Sequence, residues 1–105
     1  MKPEHKKALD ALWEAHGKVA HAVIENTLYA FKAPSQDEWE EHQSRLEKEK
    51  LRGPVWRSLA LLCCVTHTTE EIAELFEKYP GLPVRIADAI SDLVGADIEF
   101  TVKKD

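Results

Sequence analysis

PEHKKALDALWEAHGKVAHAVIENTLYAFK, residues 3–32, is the stretch on which the fold turns. Leu9, Leu12, Trp13, His16, Val19, Ala20, Val23, Thr27, Ala30 and Phe31 recur at spacings of three and four, the period of one face of an α-helix. Pro3 suits a first helical turn, where its missing N–H costs nothing. The spacing therefore predicts one long helix from Pro3 to about Lys32, with a wide apolar stripe that needs a partner surface. Gly17 inside it costs about 1 kcal/mol relative to alanine and marks a close crossing or a mild bend.

Ala33-Pro34 stops that helix. Ser35-Gln36-Asp37-Glu38 has the form of a capping box, in which the serine hydroxyl takes an orphan N–H and the glutamate reaches back. A second helix is expected to about Arg52, ended by Gly53-Pro54, with a thin apolar face of Trp39, His42, Leu46 and Leu51. Glu41 and Arg45 stand at a favourable i,i+4 spacing on it. Residues 3–52 then read as a helical hairpin. From Pro54 to about His67 the chain is apolar nearly all round, as expected of a helix at the centre of a core. A central strand over Leu59–Val65 is the competing reading, and length and the absence of β-branched enrichment favour helix. Thr68-Thr69-Glu70-Glu71 repeats the capping pattern and opens a fourth helix to about Tyr79, with Ile72, Leu75, Phe76 and Tyr79 inward. A fifth follows from Pro83 to about Val94, ended by Gly95. Ile98-Glu99-Phe100-Thr101-Val102 alternates apolar and polar residues, the period of a half-buried strand. The expected fold is all-α: a single domain over 1–105, with a helical hairpin, a three-helix unit over 54–102 and one terminal strand-like segment.

Residues 54–102 resemble the helix-turn-helix and winged-helix units of small bacterial regulators, through TEEIAELF at 69–76, then Val84–Leu93, then the tail. The resemblance implies a transcription regulator or antitoxin that reads DNA with the last helix. The chain departs from that pattern where DNA would be read. The turn Glu77–Pro83 is long and proline-rich, Arg85 stands against Asp88 and Asp92, and no second wing strand is evident. Base edges call for Arg, Lys, Asn or Gln, and phosphates for cations.

The 105 residues carry 14 Lys and Arg against 19 Asp and Glu, a net charge of −5, which disfavours nucleic acid as a partner. The charged, interrupted N-terminus has no signal-peptide run, and the longest dense apolar run, Leu59–Val65, is too short to span a bilayer as a helix. Two adjacent thiols, Cys63 and Cys64, cannot form a disulfide framework and fit a reducing cytosol.

Cys63 and His67 at i,i+4, with Cys64, are the one pattern that suggests a metal site. A structural zinc needs four ligands, and His5, His16, His21 and His42 are scattered, so packing is the favoured reading and no cofactor is expected. A cysteine nucleophile is disfavoured too, because an apolar helix end raises a thiol pKa. No glutamate stands three before a histidine, which excludes the usual di-iron bundle. What remains is a surface. Trp39 sits on a helix too polar for deep burial, and Trp and Arg favour interface centres. Trp39, His42, Arg45 and Leu46 are therefore candidate partner-binding residues, and Glu70, Glu71 and Glu74 form a candidate acidic patch that steers toward a basic protein surface. The expected function is non-enzymatic: a small acidic cytosolic inhibitor, adaptor or immunity-type factor that docks on a partner protein and self-associates.

Overall fold

The computed structural model describes residues 1–95 and Thr101. Among them are five helices and two strands: α1 (Pro3–His16), β1 (Val19–Ile24), β2 (Thr27–Lys32), α2 (Gln36–Lys48), α3 (Gly53–Cys63), α4 (Thr69–Lys78) and α5 (Leu82–Leu93). The fold is thus α+β, and the all-α expectation is wrong at residues 19–32, where the long helix gives way to an antiparallel hairpin.

Three local features permit the break. Gly17 adopts φ 78° and ψ −155°, a conformation open to glycine and hardly to any other residue, and its N–H donates to the Trp13 carbonyl to close α1. Val19, Val23, Ile24, Thr27, Tyr29 and Phe31 then follow, the β-branched and aromatic types that pack best on a pleated surface. Glu25 and Asn26 both take positive φ, 51° and 65°, which makes the two-residue turn whose twist matches that of the flanking strands. Such turns favour Asn-Gly, so Glu25 is the anomaly. Its carboxylate ties the hairpin tip to α4, accepting from Tyr79 Oη at 2.8 Å and pairing with Lys78.

The remaining helices form largely where expected, with shifted ends. Both capping boxes are present: Ser35 Oγ accepts from Glu38 N–H and Thr68 Oγ1 from Glu71 N–H, each at 3.2 Å, and each glutamate accepts the cap residue's own N–H in return. Helix α2 stops at Lys48. Gly53-Pro54, expected to end it, instead opens α3, where proline fits the first turn. Helix α3 ends at Cys63, because Cys64 turns extended and bridges Phe31, and Val65 N–H donates to the Ala30 carbonyl at 3.0 Å. The turn between α4 and α5 is only Tyr79–Gly81, shorter than the seven residues read from the prolines. The strand-like segment expected at 98–102 lies, apart from Thr101, outside the described residues.

Phe31 on the hairpin meets Leu59, Ala60 and Cys63 of α3, Ile72 and Phe76 of α4, and Ile86, Ala87 and Ile90 of α5 in one buried cluster. Burial of each large apolar side chain there contributes about 1.5–3 kcal/mol. Helix α3 is less central than its composition suggests, since Leu62 is 49% exposed. No residue of α1 is fully buried, and Trp13 is 47% exposed.

Candidate functional site

Of the candidate partner-binding residues of α2, His42 and Arg45 line a cleft against α3, and Trp39 packs against the core cluster. The capping box at Ser35 sets the start and rotation of α2, and this places Trp39 half-buried against the core cluster and His42 beneath it. The two rings stand 5.3 Å apart, tilted by 37°. Arg45 and Leu46 are half-buried one turn on. Arg45 does not pair with Glu41, as its spacing suggested, but with Glu49 at 3.3 Å. Alongside these residues lies a small cleft of about 70 Å³, floored by Val55 and Leu59 and walled by His42, Arg45, Ser58 and Leu62. Glu38 and Glu41 stand on its rim. A cleft of that size takes the end of one side chain.

His42 is 6% exposed. Burial holds its pKa below the ordinary histidine value, and the Arg45 charge acts in the same direction. The folded protein thus binds its proton less well than the unfolded chain does. The sign follows: neutral His42 contributes its full stabilisation above the unfolded pKa of about 6.5, and that contribution is lost as pH falls from there through the lower folded value. Glu25, Glu38 and Glu71 have pKa values lowered by their hydrogen bonds, so their losses come only further down, in the carboxylate range. The thermal midpoint is therefore expected to drop between pH 7.5 and 5.5, and to drop less in His42→Leu. Equal losses in the two proteins would mean that His42 is not desolvated.

The acidic candidates lie elsewhere. Glu70, Glu71 and Glu74 are all exposed on α4, a helix that, like α2, packs on α3. Glu71 is committed to the Thr68 cap, which leaves Glu70 and Glu74 as the free charges of the patch.

The thiol–histidine pattern dissolves in three dimensions. Because α3 stops at Cys63, the i,i+4 relation of Cys63 to His67 is never formed. Cys63 is fully buried, and burial pushes its thiol up to about 11. Cys64 contacts Thr66 Oγ1 at 3.7 Å, while His67 stacks on Tyr29 with 4.2 Å between ring centroids and bonds Thr66 Oγ1 through Nδ1 at 2.8 Å. Among the described residues no group of three or more His, Cys, Asp or Glu is placed to hold a metal ion.

The sequence reading missed the exposed leucines. Leu51, 73% exposed, lies on the connection between α2 and α3, and Leu62 borders the cleft. Leu62 hides in a run of apolar residues, and only its offset from the buried line of Val55, Leu59 and Cys63 distinguishes it.

These features define a small α+β protein in which three packed helices carry a β-hairpin, with a further helix set against one of them to form a cleft. The chain belongs to the family described as a domain of unknown function (DUF6848), whose model matches residues 6–103. It is similar to the solved structure of an uncharacterised protein from Bacillus stearothermophilus, at 24% identity over 90% of this chain and 98% of that one, with a TM-score of 0.69. That likeness concerns the fold alone. No curated protein matches the chain. No helix among the described residues is long and apolar enough to cross a membrane.

Proposed function

We propose that this protein is a non-catalytic docking module, an inhibitor, adaptor or immunity-type factor that works in the cytosol by seating a side chain of a partner protein in the α2–α3 cleft. The observation that carries the reading is the exposed Leu62 at the mouth of a cleft whose floor is apolar and whose rim carries Glu38 and Glu41. Interfaces concentrate their energy in such pockets, where a few anchors bind inside a polar ring. The two rim carboxylates, with Glu70 and Glu74 on α4, suit a partner with a basic surface, which they would attract and orient. The unpaired thiols are in keeping with a reducing compartment.

The test is recovery of a partner from the native host by the tagged protein and by its variants. Leu62→Glu is expected to reduce recovery of that partner by about tenfold, the effect of about 1.4 kcal/mol, with little change in thermal midpoint because Leu62 is half in solvent. Trp39→Ala is expected to weaken the same association, and also to cost some stability, since Trp39 packs against the core cluster. Undiminished recovery by Leu62→Glu would remove the cleft from the interface.

A transcription regulator is the second reading, and one observation favours it: the three-residue turn between α4 and α5 has the length of a helix-turn-helix. The exposed face of α5 presents Asp88 and Asp92 with Arg85, a field that repels phosphate. Retention of DNA that weakens steeply with salt and vanishes in Arg85→Ala would replace docking by this reading.

A further inference from the structure

The floor and the rim of the α2–α3 cleft ask different things of an occupant. Val55 and Leu59 below and Leu62 at the mouth offer apolar surface. Glu38 and Glu41 on the rim carry negative charge, and among the described residues neither enters an ion pair. Glu38 gives Oε1 to the Ser35 N–H, which orders the side chain and leaves its charge in place. Lys32 acts on Glu38 only from beyond ion-pair distance. The cation on the wall is already engaged: the Arg45 guanidinium holds both oxygens of Glu49, each at 3.3 Å. The uncompensated charge facing the cleft is therefore that of the two rim carboxylates.

His42 calls for the same kind of occupant. It is 6% exposed, yet among the described residues neither ring nitrogen makes a hydrogen bond. Neither nitrogen is sealed from solvent, and the concavity that His42 lines is this cleft. Burial and the Arg45 charge keep the ring neutral at pH 7, so one nitrogen is a hydrogen-bond acceptor. An apolar anchor covering the ring would leave that acceptor without water and without a donor, which costs free energy. A carboxylate anchor would meet Glu38 and Glu41. An anchor that donates hydrogen bonds, carries positive charge and brings an aliphatic stem suits floor, rim and ring together.

We propose that the cleft is a lysine subsite, an inference that rests on the docking reading above. It takes a lysine side chain of the partner protein, the stem against Val55, Leu59 and Leu62 and the ammonium donating to the Glu41 carboxylate and the His42 ring. Lysine lays its methylenes on apolar surface and keeps its charge at the edge. The ammonium has three donors and no acceptor. Ser58 offers it a further acceptor, because the Ser58 hydroxyl spends its own hydrogen on the Pro54 carbonyl at 2.9 Å. Arginine carries the same charge on a broader planar head, and a cleft of about 70 Å³ favours the slimmer ammonium.

The test is a nuclear magnetic resonance titration of the full chain with N-acetyl-lysine methylamide and with its norleucine and arginine counterparts. The norleucine probe keeps the stem and lacks the ammonium. The lysine probe is expected to bind in the millimolar range, as small ligands do, shifting the Leu59 and Leu62 methyls and the His42 ring. It is expected to bind about fivefold more tightly than either counterpart, the ratio that about 1 kcal/mol gives. Glu41→Gln, at an exposed position, is expected to remove that preference and leave norleucine binding unchanged. His42→Phe keeps a ring without an acceptor and is expected to reduce it. Equal or tighter binding of the norleucine probe overturns the lysine assignment and leaves docking standing with an apolar anchor. Preference for the arginine probe overturns it in favour of a guanidinium. A lysine preference that survives in both variants overturns it by placing the ammonium elsewhere on the acidic exterior. Cleft signals unmoved by the lysine probe overturn it as well, and docking then stands or falls on partner recovery by Leu62→Glu.

Discussion

Phe31→Ala is expected to cost about 3–5 kcal/mol, the range for truncating a fully buried aromatic residue. Phe31 is 2% exposed and joins the hairpin to all three helices of the buried cluster. It also bridges Cys64, so the same position ends α3 and holds the engaged edge of the sheet. A domain of this size has about 5–15 kcal/mol of stability in total, so the variant should be near its unfolding limit at room temperature. The urea midpoint should fall sharply with an unchanged slope. Lys32→Ala, a neighbour whose side chain is half-exposed, should stay within about 0.5 kcal/mol of the wild type. A loss under 1 kcal/mol in Phe31→Ala would show that residues 19–32 do not dock on the helices as a hairpin.

Gly17→Ala is the second large effect, and it acts through the backbone alone. No atom lies within 4 Å of where a Cβ would stand, so there is no clash to relieve. The cost comes from φ 78° and ψ −155°, a region that an L-residue enters only with strain of about 1–3 kcal/mol. Alanine also favours continuation of α1, since it is the better helix former by about 1 kcal/mol. Denaturant unfolding should show the loss, and the amide signals of Lys18 and Val19 should move. A variant as stable as the wild type would mean that something other than Gly17 breaks the chain between α1 and β1.

The two positions explain why the fold was only partly legible. Helices α2 and α4 could be read from Ser35–Glu38 and Thr68–Glu71, because a cap and its helix lie within four residues of one another. Helix α5 and the buried line of Val55, Leu59 and Cys63 were legible for the same reason: one helical period suffices to show them. The hairpin was not. Val19, Ala20, Val23, Ala30 and Phe31 satisfy the helical period, and the turn Glu25-Asn26 lacks the glycine that usually announces a tight hairpin. The signals that favoured strands were Gly17 and the run of β-branched and aromatic residues after it.

The candidate site was legible in composition and not in placement. Trp39, His42, Arg45 and Leu46 were singled out from α2; of these, His42 and Arg45 line the cleft with α3 and Trp39 packs against the core cluster, while Leu46 lines neither. Which leucine of α3 reaches solvent depends on how far that helix is turned by its neighbours, and no local pattern carries that angle. The same holds for Cys63 and His67, joined by spacing and separated by the end of the helix between them.

By itself, then, the amino-acid order determined the three capped or proline-started helices of the C-terminal half, the identity of most core residues and the acidic exterior, since all of these follow from neighbours a turn apart or from counting charges. Only the tertiary structure decided that residues 19–32 form strands and that α3 stops at Cys63. Both depend on the same remote contact, the Phe31–Cys64 bridge with Ala30 bonded to Val65 and Thr66. A strand's backbone groups must be satisfied by residues far along the chain, whereas a helix satisfies its own.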